Sequence, residues 1–100
     1  MNQALILSKD AVEKEIKDLP DWRFESDRLK AEYVLKDFDA AIGIINQVAA
    51  VSREMDHHPL MTNVFNRLLF SLSTHGVGDR VTELDVELAQ RISEIISDTK

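Results

Sequence analysis

Between Asp37 and Met55 the chain reads as one long helix that is too apolar for a single neighbour to cover. Asp37 is placed to cap it, its carboxylate accepting from a free backbone N–H of the first turn. Phe38, Ala41, Ile42, Ile44, Ile45, Val48, Ala49, Ala50, Val51 and Met55 then follow. These positions take up more of the circumference than one amphipathic stripe requires. In a chain of 100 residues, a helix apolar on two sides has more surface to bury than one sheet can cover. One side is therefore expected to face the chain's own core and the other a second copy. The spacing predicts a homo-oligomer, dimer or tetramer, formed through helix 37–55.

The segments around this helix alternate in type. Ser8 is a plausible cap for a first helix, in which Val12, Ile16 and Leu19 lie a turn apart until Pro20 stops it. Trp22–Phe24 and Leu29–Leu35 alternate in strand fashion around the polar turn Glu25–Arg28, which predicts a hairpin. Asn63–Phe65 and Leu68–Ser73 predict a second hairpin around Asn66-Arg67. In its second strand, Leu68, Phe70 and Leu72 share a face. A loop with Gly76 and Gly78 leads to a last helix from about Thr82, directing Leu84, Leu88, Ile92, Ile95 and Ile96 to the core. The order α-β-β-α-β-β-α predicts an α+β fold in which a four-stranded antiparallel sheet carries three helices on one face. Residues 1–100 are expected to form a single domain, being too few for two independent cores.

Composition removes several classes of function. There is no cysteine, so disulfides, thiolate nucleophiles and thiolate metal sites are excluded. A formal charge of −6, with no basic run, disfavours direct binding to nucleic acid or anionic membranes. No stretch approaches the roughly 20 apolar residues that span a bilayer, and the N-terminus shows no signal-peptide pattern. A cytoplasmic location is the expectation.

The three histidines fall in two short segments where turn signals break the pattern: His57-His58-Pro59 and Ser73-Thr74-His75. Imidazole is the only side chain here whose ordinary pKa lies near neutrality. Pro59 keeps the long helix from continuing through the pair, and His75 lies where the chain leaves the last strand. Two strand ends can bring all three imidazoles around one cleft, as acid–base catalysis requires. Asp56 and Asp85 are the acidic candidates to orient an imidazole. Plainer readings stand beside this one. A His-His pair ending a helix also suits the helix dipole, and His75 alone suits a polar loop. Thr82-Glu83-Leu84-Asp85 has the spacing of a capping box with Asp85 at its fourth position. Three histidines and a carboxylate can also hold zinc. However, adjacent histidines on extended chain point to opposite sides, and no HExxH spacing exists. Ser73 precedes His75 without any nucleophile elbow.

Taken together, Asp56-His57-His58-Pro59, Asn63-Val64-Phe65-Asn66, Leu72-Ser73-Thr74-His75 and Val81-Thr82 with Asp85, Leu88 and Ala89 resemble the pterin-4a-carbinolamine dehydratase family. Trp22 and Phe38 also fit its layout, so the resemblance spans residues 8 to 97. It implies dehydration of 4a-hydroxytetrahydropterin to quinonoid dihydropterin in tetrahydropterin recycling, with no metal and no cofactor beyond the pterin substrate itself. Carried over by position, His57, His58, His75 and Asp85 would be catalytic. His58 and His75 would do acid–base work, while His57 would orient and contact substrate. Asp56, Ser73 and Thr74 would add substrate hydrogen bonds. The resemblance also implies an alternative, because some members act as dimerisation cofactors of a homeodomain transcription factor, which the long apolar helix would suit. The chain departs from the family pattern at Arg53, Met61, Phe65 and Gly76, where Glu, Trp, Tyr and Glu are usual. Its loop from His75 to Thr82 is one residue longer and carries Asp79-Arg80.

Overall fold

A computed structural model describes residues 5–99. Its elements are α1 (Lys9–Glu15), β1 (Trp22–Glu25), β2 (Arg28–Val34), α2 (Phe38–Met55), β3 (Leu60–Val64), β4 (Arg67–Leu72), a 3₁₀ turn (His75–Val77) and α3 (Glu83–Thr99). The strands form one antiparallel sheet in the order β1-β2-β4-β3. Burial alternates along them. Leu29, Ala31 and Tyr33 of β2 and Leu68, Phe70 and Leu72 of β4 are buried on one face, in a single core with Val12, Ile44, Val48, Leu88, Ile92 and Ile96 from the helices. Val34, Leu60, Val64 and Leu69 point the other way and are exposed. This is the expected α+β arrangement, with three helices on one face of a four-stranded antiparallel sheet.

Two boundaries differ from the sequence reading. The first helix ends at Glu15, not before Pro20, with Ile16 as its C-cap. Ile16 is buried and Leu19 packs partly against the core. Both apolar positions are thus kept, but on a turn after the helix and not within it. In the second hairpin, β3 runs from Leu60 to Val64 and Val64 pairs with Arg67, so the turn is Phe65-Asn66 and not Asn66-Arg67. Phe65 adopts a left-handed backbone (φ 51°), unfavourable for a bulky residue. Two asparagines hold it there. Asn63 Nδ2 donates to the carbonyls of Phe65 (3.1 Å) and Arg67 (2.9 Å), and Asn66 Nδ2 donates to Leu35 O (3.0 Å). The first hairpin turns at Ser26-Asp27, both left-handed, as a two-residue turn between right-twisted strands requires.

Helix α2 starts where expected, with Asp37 accepting from Ala40 N at 2.8 Å. It buries Ala41, Ile44, Val48 and Ser52. The neighbouring stripe of Phe38, Ile42, Ile45 and Ala49 is only partly covered, and Phe38 remains 46% exposed. Among the described residues, no helix is long and apolar enough to cross a membrane.

Candidate active site

The C-terminus of α2 determines where the first two histidines go. Asp56 is left-handed (φ 51°, ψ 45°), and two backbone bonds close the turn, Asp56 N to Arg53 O at 3.3 Å and His57 N to Ser52 O at 3.0 Å. This is a Schellman closure with aspartate in the place glycine usually takes. It reverses the chain, and the extended segment toward Pro59 then alternates: His57 turns inward and is 7% exposed, while His58 turns outward.

His57 meets Asp85 across 28 residues of chain, with Nε2 and Oδ1 2.6 Å apart in a buried pair. Asp85 is fully buried in the first turn of α3. Its Oδ2 accepts from Thr74 Oγ1 (2.8 Å) and from Thr82 N (2.9 Å), while Thr82 Oγ1 accepts from Leu84 N (3.2 Å). The capping box therefore exists, and the same carboxylate that closes it also receives the imidazole. An ionised carboxylate can only accept, so in that state the proton between the two is carried by His57 Nε2, which donates to Asp85 Oδ1. The Thr74 and Thr82 hydroxyls lie 2.7 Å apart and complete a fully bonded buried cluster.

His75 opens the 3₁₀ turn after β4, with its side chain 98% exposed. Its Nδ1 lies 3.2 Å from Asp79 Oδ1. The loop is tied back on itself through Thr74 N to Arg80 O (2.8 Å) and Asp79 N to Thr74 O (3.1 Å). It turns through left-handed Gly78 (φ 79°) and Asp79 (φ 60°). Arg28 Nη1, from the start of β2, donates to Asp79 O at 2.6 Å.

These elements line two neighbouring hollows, an inner and an outer lobe, that share His58, Ser73 and His75. The inner lobe, about 260 Å³, is lined by Asp56, His57, His58, Ser73, Thr74, His75, Gly76 and Leu84. The outer lobe, about 380 Å³, shares His58, Ser73 and His75 and extends to Arg28, Pro59, Leu60, Ser71 and Asp79. All the expected site residues are thus gathered here, with Asp85 beneath the surface behind His57. Asp56 lines the cleft but orients no imidazole. Asp79 and Arg28 were not among the expected site residues. The only sequence signal for Asp79 was its place in the lengthened loop, and nothing in the sequence ties Arg28 to it. Among the described residues, no three His, Asp or Glu side chains are grouped to hold a metal ion.

A family profile described as pterin 4 alpha carbinolamine dehydratase matches residues 6–95. A protein of Metallosphaera sedula, provisionally named pterin-4-alpha-carbinolamine dehydratase, is 39% identical over 89 residues, covering 89% of this chain and 92% of that one. A Synechococcus protein of the same provisional name is 40% identical over 77 residues, 77% of this chain and 82% of its own. Among solved structures, a transcriptional coactivator/pterin dehydratase from Brucella melitensis superposes with a TM-score of 0.86 at 29% identity, covering 91% of this chain and 98% of that one. A pterin dehydratase-like RuBisCO assembly factor of the alpha-carboxysome shares the fold, with a TM-score of 0.63 at 18% identity, over 75% of this chain and 88% of its own.

Proposed function

The chain belongs to the pterin-4a-carbinolamine dehydratase family, and on that premise we propose that it dehydrates 4a-hydroxytetrahydropterin to quinonoid dihydropterin by histidine acid–base catalysis. The reaction breaks the C4a–O bond. The leaving oxygen takes a proton and departs as water, a nitrogen lone pair forms the new C=N bond, and a ring or exocyclic nitrogen gives up a proton. Two groups able to exchange protons near neutrality meet that need without any cofactor or metal. The observation that carries the reading is the division of labour among the imidazoles. His57 is buried and tied to Asp85, which suits orientation and contact with the pterin. His58 and His75 are exposed and share both lobes, which suits proton delivery and removal. Asp56, Ser73 and Thr74 rim the same lobe and offer hydrogen bonds to the pterin edge.

The test follows the decay of chemically generated 4a-hydroxytetrahydropterin. We expect acceleration by the wild-type protein and its loss in the His58→Ala/His75→Ala double variant, a fall of roughly 10²-fold or more. Equal rates for the two proteins would overturn the enzyme reading. Tetrahydropterin recycling in the cytoplasm is the setting that fits this activity.

The partly covered stripe Phe38, Ile42, Ile45 and Ala49 favours a second, compatible reading, in which α2 is an association surface. A second copy of the chain is the occupant that fits, because a self-complementary apolar stripe on a long helix suits a twofold interface.

A further inference from the structure

From the outer lobe of the cleft we infer that the preferred substrate is a pterin whose C6 substituent ends in an anionic group, bound by Arg28. The inference rests on the dehydratase reading, which places the reacting carbon, C4a, among His57, His58 and His75. C6 is separated from C4a by a single ring nitrogen. A substituent on C6 must therefore leave the site into space next to the histidines. The outer lobe is such space, since His58, Ser73 and His75 line both lobes. A bare pterin ring among the imidazoles leaves this larger lobe, about 380 Å³, to the substituent alone.

The lining of the lobe gives the chemistry. Arg28 is half-buried and commits one N–H, at Nη1, to the backbone carbonyl of Asp79. That bond holds the guanidinium against the loop. Among the described residues, no carboxylate oxygen lies within ion-pairing distance of it. The acids of the adjoining turns face other groups: Asp27 pairs with Arg80 at 3.8 Å, and Asp79, which also lines the lobe, lies 3.2 Å from His75, an ion pair only when that imidazole is protonated. In a chain of net charge −6, a half-buried guanidinium without an acid partner is a positive site inside a binding cleft. Its planar fork of donors matches the oxygens of a phosphate or a carboxylate. Ser71 and Ser73 contribute hydroxyls, and Leu60 and Pro59 an apolar wall for the carbon stem.

The experiment measures calorimetric binding of three 7,8-dihydropterins to the full chain, alike except that the C6 side chain ends in a hydroxyl, a carboxylate or a phosphate. It is paired with turnover of the corresponding 4a-hydroxy adducts. We expect at least one anionic ligand to bind roughly tenfold or more tighter than the hydroxyl form, with the preference shrinking as salt rises. Which anion wins identifies the terminal group. Arg28→Gln keeps a donor for the Asp79 carbonyl but removes the charge, and it should bring the ratio to about one. Arg28→Lys should retain part of it. Reading a ratio cancels any general loss from disturbing the loop. Equal binding of all three ligands, or a preference that survives in Arg28→Gln, overturns the inference and leaves the dehydratase reading standing. Absence of both binding and turnover for every ligand overturns both.

Discussion

Asp85 serves two structures with one carboxylate: it caps α3 and it anchors His57. Asp85→Asn keeps the shape but substitutes two N–H donors for an acceptor oxygen in a cluster that has no room for an extra donor. We expect a loss of about 1–3 kcal/mol in chemical denaturation, and dehydratase activity roughly 10²-fold lower because His57 loses its fixed tautomer. Tyr33 presents the opposite case. Its ring packs edge-on to Phe70 at 6.1 Å, but its buried hydroxyl, which sits near Ser93 and Trp22, makes no well-formed hydrogen bond to either or to any other described residue. Tyr33→Phe is therefore expected to raise stability by about 1 kcal/mol. Burial also pushes the phenol above its ordinary value of 10.0. Its folded-state pKa being raised, its contribution is intact below about pH 10 and is lost as the pH climbs toward the folded value. Wild type should thus lose stability above pH 10 more steeply than Tyr33→Phe, as paired melts across that range will register. At this scale the sequence was most legible where short-range grammar applied. The capping-box spacing marked Asp85, and the helix stop before Pro59 marked the histidine pair. Arg28 was hidden because its contact with Asp79 spans 51 positions and no local pattern announces it.

Among the elements, the hairpins show what local chemistry can and cannot announce. The first turn was readable because Ser26-Asp27 stands between two alternating runs. The second slipped by one residue because Phe65 has the β-propensity of a strand yet occupies the turn. The side chains of Asn63 and Asn66 impose that conformation through backbone carbonyls of the turn itself, of β4 and of the segment after β2, a tertiary effect that overrides preference. Since Phe65 is 65% exposed, little burial is lost on replacing it. Phe65→Asn, which tolerates the left-handed region, is expected to stabilise the fold by about 0.5–1 kcal/mol, measurable as a rise of a few degrees in Tm. Helix α1 teaches the converse. Its apolar spacing continued to Leu19, but burying Ile16 and Leu19 required only that they face the core, not that they stay helical.

For the molecule as a whole, the pattern that most restricts the fold is also the one a single chain leaves incomplete. Helix α2 satisfies the core through Ala41, Ile44 and Val48, and the stripe beside them keeps Phe38, Ile42 and Ile45 partly open. Native mass spectrometry is expected to find a dimer or tetramer, and Ile42→Glu/Ile45→Glu to shift it toward monomer with the far-UV spectrum retained. A stable wild-type monomer would refute this. The four-stranded sheet and its helices were legible because burial alternates with period two along the strands and the helical stripes recur every third or fourth residue. The two-lobed form of the cleft was not, because it depends on how the loop after His75 folds back toward β2.

The bond between His57 and Asp85 also has a consequence for time. Because the carboxylate that fixes the imidazole is the one that starts α3, that end of the helix cannot fray without releasing the histidine. Site assembly and the docking of α3 become one cooperative event. Docking of α3 would then be the step that completes the site.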